Sequence, residues 1–111
     1  MKYFLRIFIL LFVFGILVTC EKENNPPAIQ STSASPQTVK TGEITQLTCV
    51  ATDPDGDHLT YSWSAPDGSF PDGTIGSSVS WKAPDVAGNN RISIIVSDGK
   101  EVVDGAVNVK I

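Results

Sequence analysis

Residues 53–63 read Asp-Pro-Asp-Gly-Asp-His-Leu-Thr-Tyr-Ser-Trp, an acidic turn joined directly to an alternating apolar run. Leu59, Tyr61 and Trp63 alternate with Thr60, Ser62 and Ser64, the period of two that marks a strand with one buried face. Trp63 is therefore expected in the core. Ahead of it, Pro54 fixes its own φ and Gly56 permits positive φ, so the chain reverses tightly. Asp53, Asp55 and Asp57 fall on that reversal, and carboxylates so close together repel one another unless something positive sits among them. Two readings are open: a solvated turn whose aspartates bond their own backbone, or a loop for calcium, a hard cation that takes several oxygen ligands.

On either side of this stretch the chain continues as short alternating runs separated by Gly, Pro, Asp and Asn, without helical periodicity. Turn signals spaced by about 8 to 12 residues point to an all-β, antiparallel sandwich. Strands are expected at 28–33 with a continuation at 37–39, then at 43–52, 58–64, 77–82, 91–97 and 100–111. With a short strand at 74–75 they make about seven. Shared inward faces are read for Leu47, Cys49 and Ala51, for Val79 and Trp81, and for Ile92, Ile94 and Val96, with Ile95 outward. In the last strand Val103, Gly105, Val107, Val109 and Ile111 share a parity, and Asp98-Gly99 ahead of it is a hairpin signal. Cys49 reads as a small buried hydrophobe. The other cysteine, Cys20, lies in a different context, so no disulfide is expected.

That context is the N-terminus. Lys2 and Arg6 precede an apolar run over 7–18, the layout of a secretory signal. The run is shorter than the about 20 apolar residues of a spanning helix. Leu17-Val18-Thr19-Cys20 resembles the lipobox of bacterial lipoproteins, with Thr19 in place of the usual small residue. The resemblance implies a signal peptide over 1–19 and a Cys20 whose acylated thiol anchors the protein to a membrane. An ordinary signal peptide or an uncleaved anchor is the alternative. Residues 20–26 then form the lipidated cysteine and a short polar tether, reaching roughly 20 Å when extended, and residues 27–111 form the domain. Glu21, Lys22 and Glu23 resemble the lysine-plus-acid signals that send some Bacteroidetes lipoproteins to the cell surface. The expected location is the outer membrane or cell surface.

The 111 residues suffice for one domain, and 41% apolar with 18% charged residues is globular composition. A formal charge of −4 offers no basic patch and argues against nucleic acid as a partner.

The stretches DPDGDHLTYSW, WKAPDVAGNNRISIIVSDG and AVNVKI together resemble PKD and related bacterial immunoglobulin-like domains over about residues 25–111. Asn90 stands where family members commonly carry a tyrosine, and Ser64, Ala65 and Pro66 stand where PKD domains carry a glycine-rich acidic segment. Both departures favour the broader immunoglobulin-like assignment. In this fold the start of the first strand, the end of the second and the end of the 91–97 strand share a pole, which brings Asn25, Asp53 and Asp98 together. Some PKD domains bind calcium at that corner. The resemblance therefore implies Asn25, Asp53, Asp55 and Asp98 as calcium ligands, with Asp57 secondary to them. No other cofactor is expected.

Catalysis is not expected. His58 is the single histidine, no second histidine or cysteine is placed for zinc, and no nucleophile motif is present. The leading reading is a monomeric binding or adhesion module that recognises a protein or carbohydrate ligand. Its tethered pole faces the membrane, and the loops at 66–73 and 83–90 point away from it. Phe70 is the one aromatic there without a core parity and is the candidate contact residue. The alternative is a structural accessory that docks on a larger envelope complex by strand addition at the 28–33 or 100–111 edge. If Cys20 is the acylation site, Cys20→Ser should abolish incorporation of fatty-acid label and leave an unprocessed precursor. Label retained in that variant would contradict the anchor.

Overall fold

The computed structural model describes residues 23–111. The expected signal peptide, Cys20 and the start of the tether lie outside the described residues. Six strands form: β1 (Ala28–Ser35), β2 (Ile44–Thr52), β3 (Thr60–Ser64), β4 (Ser78–Lys82), β5 (Asn89–Ser97) and β6 (Val102–Lys110). They make two three-stranded sheets, in the orders β1-β2-β4 and β3-β5-β6, with every neighbouring pair antiparallel.

The segment expected as a strand at 74–75 is reduced to a bridge between Ile75 and Ser62. Gly73 and Gly76 bracket it with φ of 102° and 128°, a backbone no β ladder accommodates, so pairing stops on both sides. The bridge is nonetheless bonded to β3, with Trp63 N–H donating to the Thr74 carbonyl (2.8 Å) and Gly76 N–H to that of Tyr61 (3.1 Å). The continuation at 37–39 changes sheets. After the cis Ser35-Pro36 peptide, Thr38 bridges Lys110 of β6 in parallel. Val39 N–H donates to the Lys110 carbonyl (2.9 Å) and Lys110 N–H to that of Gln37 (3.1 Å). The buried Thr45 hydroxyl donates to the Pro36 carbonyl and pins the crossing. β3 and β6 each start two residues later than the sequence suggests. His58 belongs to the acidic turn, and Lys100 and Glu101 are used in closing the β5–β6 turn.

Alternation fills the space between the sheets. Leu47, Cys49, Val79 and Trp81 project from one side and Trp63, Ile92, Ile94, Val96, Val107 and Val109 from the other, all buried, while Ile95 faces out. Cys49 is a free thiol whose burial pushes its pKa up. A buried indole still has an N–H to satisfy. Trp63 Nε1 donates to the Gly76 carbonyl (2.8 Å) and Trp81 Nε1 to the Asp67 carbonyl (3.2 Å). The two tryptophans therefore hold both ends of the 65–77 loop. Gly68 lies so close that a Cβ there would meet the Lys82 carbonyl oxygen at 2.6 Å and the Trp81 ring at 2.7 Å, and its φ is 77°. Phe70, read from sequence as an aromatic without a core parity and a candidate contact residue, is half-buried and packs against the core, on the loop that these bonds draw inward.

Removing either indole deletes core volume and an anchor of the loop together. Trp63→Ala and Trp81→Ala should each cost about 3 to 5 kcal/mol in urea unfolding. A loss under roughly 0.5 kcal/mol would mean that the side chain is not core.

Candidate metal centre

β1 starts, β2 ends, β3 starts and β5 ends at one pole, as the pairings Ala28 with Thr52, Thr60 with Ser97 and Ser97 with Val102 require. The connections at that pole carry the acidic residues. Leaving β2, the chain turns at Asp53-Pro54-Asp55-Gly56, closed by Gly56 N–H donating to the Asp53 carbonyl (3.1 Å), with Gly56 at φ 73°. Asp53 Oδ2 accepts from the Asp57 N–H at 2.7 Å. Leaving β5, the chain turns over residues 98–101. Asp98 Oδ1 accepts from the N–H groups of Lys100 (2.8 Å) and Glu101 (2.7 Å), while Asp98 N–H donates to the Glu101 carbonyl (3.1 Å). Asp53 and Asp98 thus bond their own turns, as the solvated-turn reading expects.

Turn capping does not use all their oxygens. Carboxylate oxygens of Asp53, Asp57 and Asp98 lie within 4.8 Å of one another, although the residues sit on two separate connections. Asp53 Oδ1 is sealed from solvent and accepts no hydrogen bond. A buried carboxylate oxygen without a donor is costly. The electrostatics of the trio are uneven. Loss of solvation, then the carboxylates of Asp53, Asp55 and Asp98, push Asp57 above the ordinary aspartate value, with Lys100 opposing them. Hydrogen bonds from the Glu101 backbone, the Asn24 side chain and the Lys100 backbone hold Asp98 below it. The donors are all hard oxygens and fit calcium rather than a softer metal. Asp53, Asp57 and Asp98 are the residues that would hold it, and its charge would supply the partner that Asp53 Oδ1 lacks.

The other residues implied from sequence fall beside the trio. Asp55 points to the first residues of the domain: its Oδ2 accepts from the Asn25 N–H (2.7 Å) and its Oδ1 from Asn25 Nδ2 (3.2 Å). Asn25 therefore meets Asp55 rather than Asp98. Asn24 was missed by sequence reading, and it is the residue that reaches Asp98, with Nδ2 donating to Oδ2 at 3.0 Å. The adjacent asparagines were the available signal, but only the direction of the incoming chain distinguishes them. Glu23, Asn24, Asp55, Asp57 and Lys100 line an open depression on this corner. His58 is exposed.

No curated protein matches the chain. Among solved structures, it resembles the PKD domain of an M14-like peptidase from Thermoplasmatales archaeon SCGC AB-540-F20, with 27% identity and a TM-score of 0.63. The match covers 80% of this chain and 98% of that one. A sandwich of this topology, with its acidic corner and its alternating core, agrees with the family match over residues 24–110, and the chain belongs to the bacterial Ig domain family.

Proposed function

We propose that this protein is a non-catalytic, lipid-anchored binding module of the cell envelope whose tethered pole takes calcium. The calcium reading is carried by Asp53 Oδ1, a sealed and unpartnered oxygen beside two further carboxylates. Bacterial Ig and PKD domains are typically non-catalytic, which agrees with the exposed His58 and the lack of a nucleophile motif. Export and anchoring rest on the lipobox-like Leu17-Val18-Thr19-Cys20. The corner lies immediately after the tether, so calcium bound there would brace the domain where the anchor enters it.

At the opposite pole, Asp67, Ser69, Lys82, Pro84 and Asp85 line an open depression between the two loops expected to face outward, with Val86 exposed close by in sequence. A mix of carboxylates, an ammonium and a hydroxyl suits a polar protein or carbohydrate surface, and this is the region for ligand capture. Phe70, turned toward the core, contributes to the shape of its loop rather than to a stacking platform.

Thermal melts of the soluble domain with calcium and with chelator test the metal. For an affinity in the weak extracellular range of about 10⁻⁴ to 10⁻³ M, calcium at 100 times its dissociation constant should add about 2.7 kcal/mol. Asp53→Asn combined with Asp98→Asn should remove the shift. An unchanged midpoint at about 10 mM calcium, or a shift that survives the double variant, would overturn the site.

The same melts carry a pH signature. Asp98, depressed in the folded state, contributes stability that is complete above the ordinary aspartate value of 3.8 and is lost as pH falls through its lower folded value. Asp57 is raised, so without metal its ionisation costs stability as pH climbs above 3.8. Calcium should offset that cost. The calcium-induced shift is expected to be full near pH 7 and to fade as pH approaches about 4, with Asp57 protonating first.

A further inference from the structure

The outer faces of the two sheets differ in kind. That of β3-β5-β6 carries the exposed Arg91, Asp104 and Lys110. On β1-β2-β4 the register sets Ser33, Thr48 and Ser78 in one row across the sheet and Ser35, Gln46 and Ser80 in the next, all pointing away from the core. Neither row contains a charge. Ile44 and Val50 continue the outward line of β2 at its two ends, 52% and 46% exposed. Three strands about 4.8 Å apart and the run from Ile44 to Val50 make a surface about 10 Å by 20 Å.

Some polar groups of this face are already fixed. Gln46 Nε2 donates to Ser78 Oγ (2.7 Å), Ser80 Oγ donates to Gln46 Oε1 (3.1 Å), and the Thr48 and Ser78 hydroxyls lie 3.5 Å apart. The carboxamide is therefore held in one orientation, with an N–H and an oxygen lone pair still to use. Its ordering entropy is spent before any ligand arrives. On the β1 side, Ser33 and Ser35 make no side-chain hydrogen bond among the described residues, so their hydroxyls are open to an incoming group.

Other partners match such a face poorly. The cores of protein–protein interfaces are enriched in aromatic residues, Met and Arg and depleted in Ser, the reverse of what stands here. An anionic polymer or lipid surface would find no cation in either row. A chain of uncharged sugars matches on each count. Its hydroxyls donate and accept, as do the serines and the carboxamide, and the C–H faces of its rings suit Ile44 and Val50. No charge would be desolvated beneath it.

We propose that the outer face of β1-β2-β4 binds an uncharged polysaccharide, laid along β2 over Gln46 and Thr48 with the serines of β1 and β4 at its sides. The surface is separate from the acidic corner and from the depression at the opposite pole, and it rests on neither calcium nor the anchor. The strands run from the tethered pole to the other, so this face looks sideways and stays open beside a membrane. Several copies on one membrane then engage one polymer, and avidity multiplies a weak single-site affinity.

The test uses the domain 23–111, whose core lies wholly between Ile29 and Ile111 and whose solved neighbour is itself little more than one such domain. Amide NMR titrations with glucan, mannan and galactan oligosaccharides up to about 10 mM should show, for at least one of them, shifts centred on Ser33, Gln46 and Thr48 and on the Gln46 side-chain amide. Gln46→Ala should weaken that binding about tenfold, and Ser33→Ala with Ser35→Ala by a similar factor. All three side chains are exposed, so the melting midpoint should hold in both variants. Asp85→Ala, at the opposite pole, should bind as wild type does. Absence of shifts on this face with all three sugars would overturn the proposal, as would affinity untouched by both sets of substitutions, binding lost in Asp85→Ala, or polygalacturonate bound as tightly as the neutral sugars.

Discussion

Trp81 is fully buried because its indole N–H finds the Asp67 carbonyl and because residue 68 has no Cβ. The rest of the β3–β4 side of the sandwich depends on that arrangement. An indole sealed without an acceptor would forfeit the cost of desolvating its N–H. The acceptor lies fourteen residues back along the chain, so the 65–77 loop must fold over the ring. Trp63 imposes the same demand at the other end of the loop through Gly76. Once both bonds are made, the loop supplies the partners that close the edge of β3 and the end of β4. A long connection, the usual place for mobility, is here part of the packing.

The two poles follow from the same architecture and differ in chemistry. At one, connections leaving β2 and β5 bring aspartates together from residues 53–57 and 98. Each connection satisfies itself by bonding carboxylates to its own backbone, yet the combination leaves Asp53 Oδ1 sealed and unpartnered. At the other pole the loops meet around Asp67, Lys82 and Asp85, an open polar surface. The acidic corner and the open polar depression are thus separated by the length of the strands.

Much of this could be read without coordinates. Strands and inward faces follow from the period-two alternation of Leu47 and Cys49, Ile92 to Val96, and Val107 and Val109, because consecutive residues of an extended chain must point to opposite sides. The acidic corner was legible from Asp53 and Asp98 once the strand order was assumed, since those residues lie at strand ends, but Asp55 was ranked ahead of Asp57, the residue that joins them. An extended segment at 37–39 and the outward Ile95 were likewise local signals, whereas the transfer of 37–39 to the other sheet was not.

What only the tertiary structure decided concerns partners distant in sequence. Whether Asn24 or Asn25 reaches Asp98 depends on the approach of a chain 74 residues away. Phe70 turned inward because two buried indoles required carbonyls from its loop, a demand invisible in the loop itself. The strand at 74–75 shrank to a bridge between two left-handed glycines. Side-chain direction is a property of the local backbone and is written in the sequence, whereas the satisfaction of a buried polar group depends on which distant segment arrives beside it.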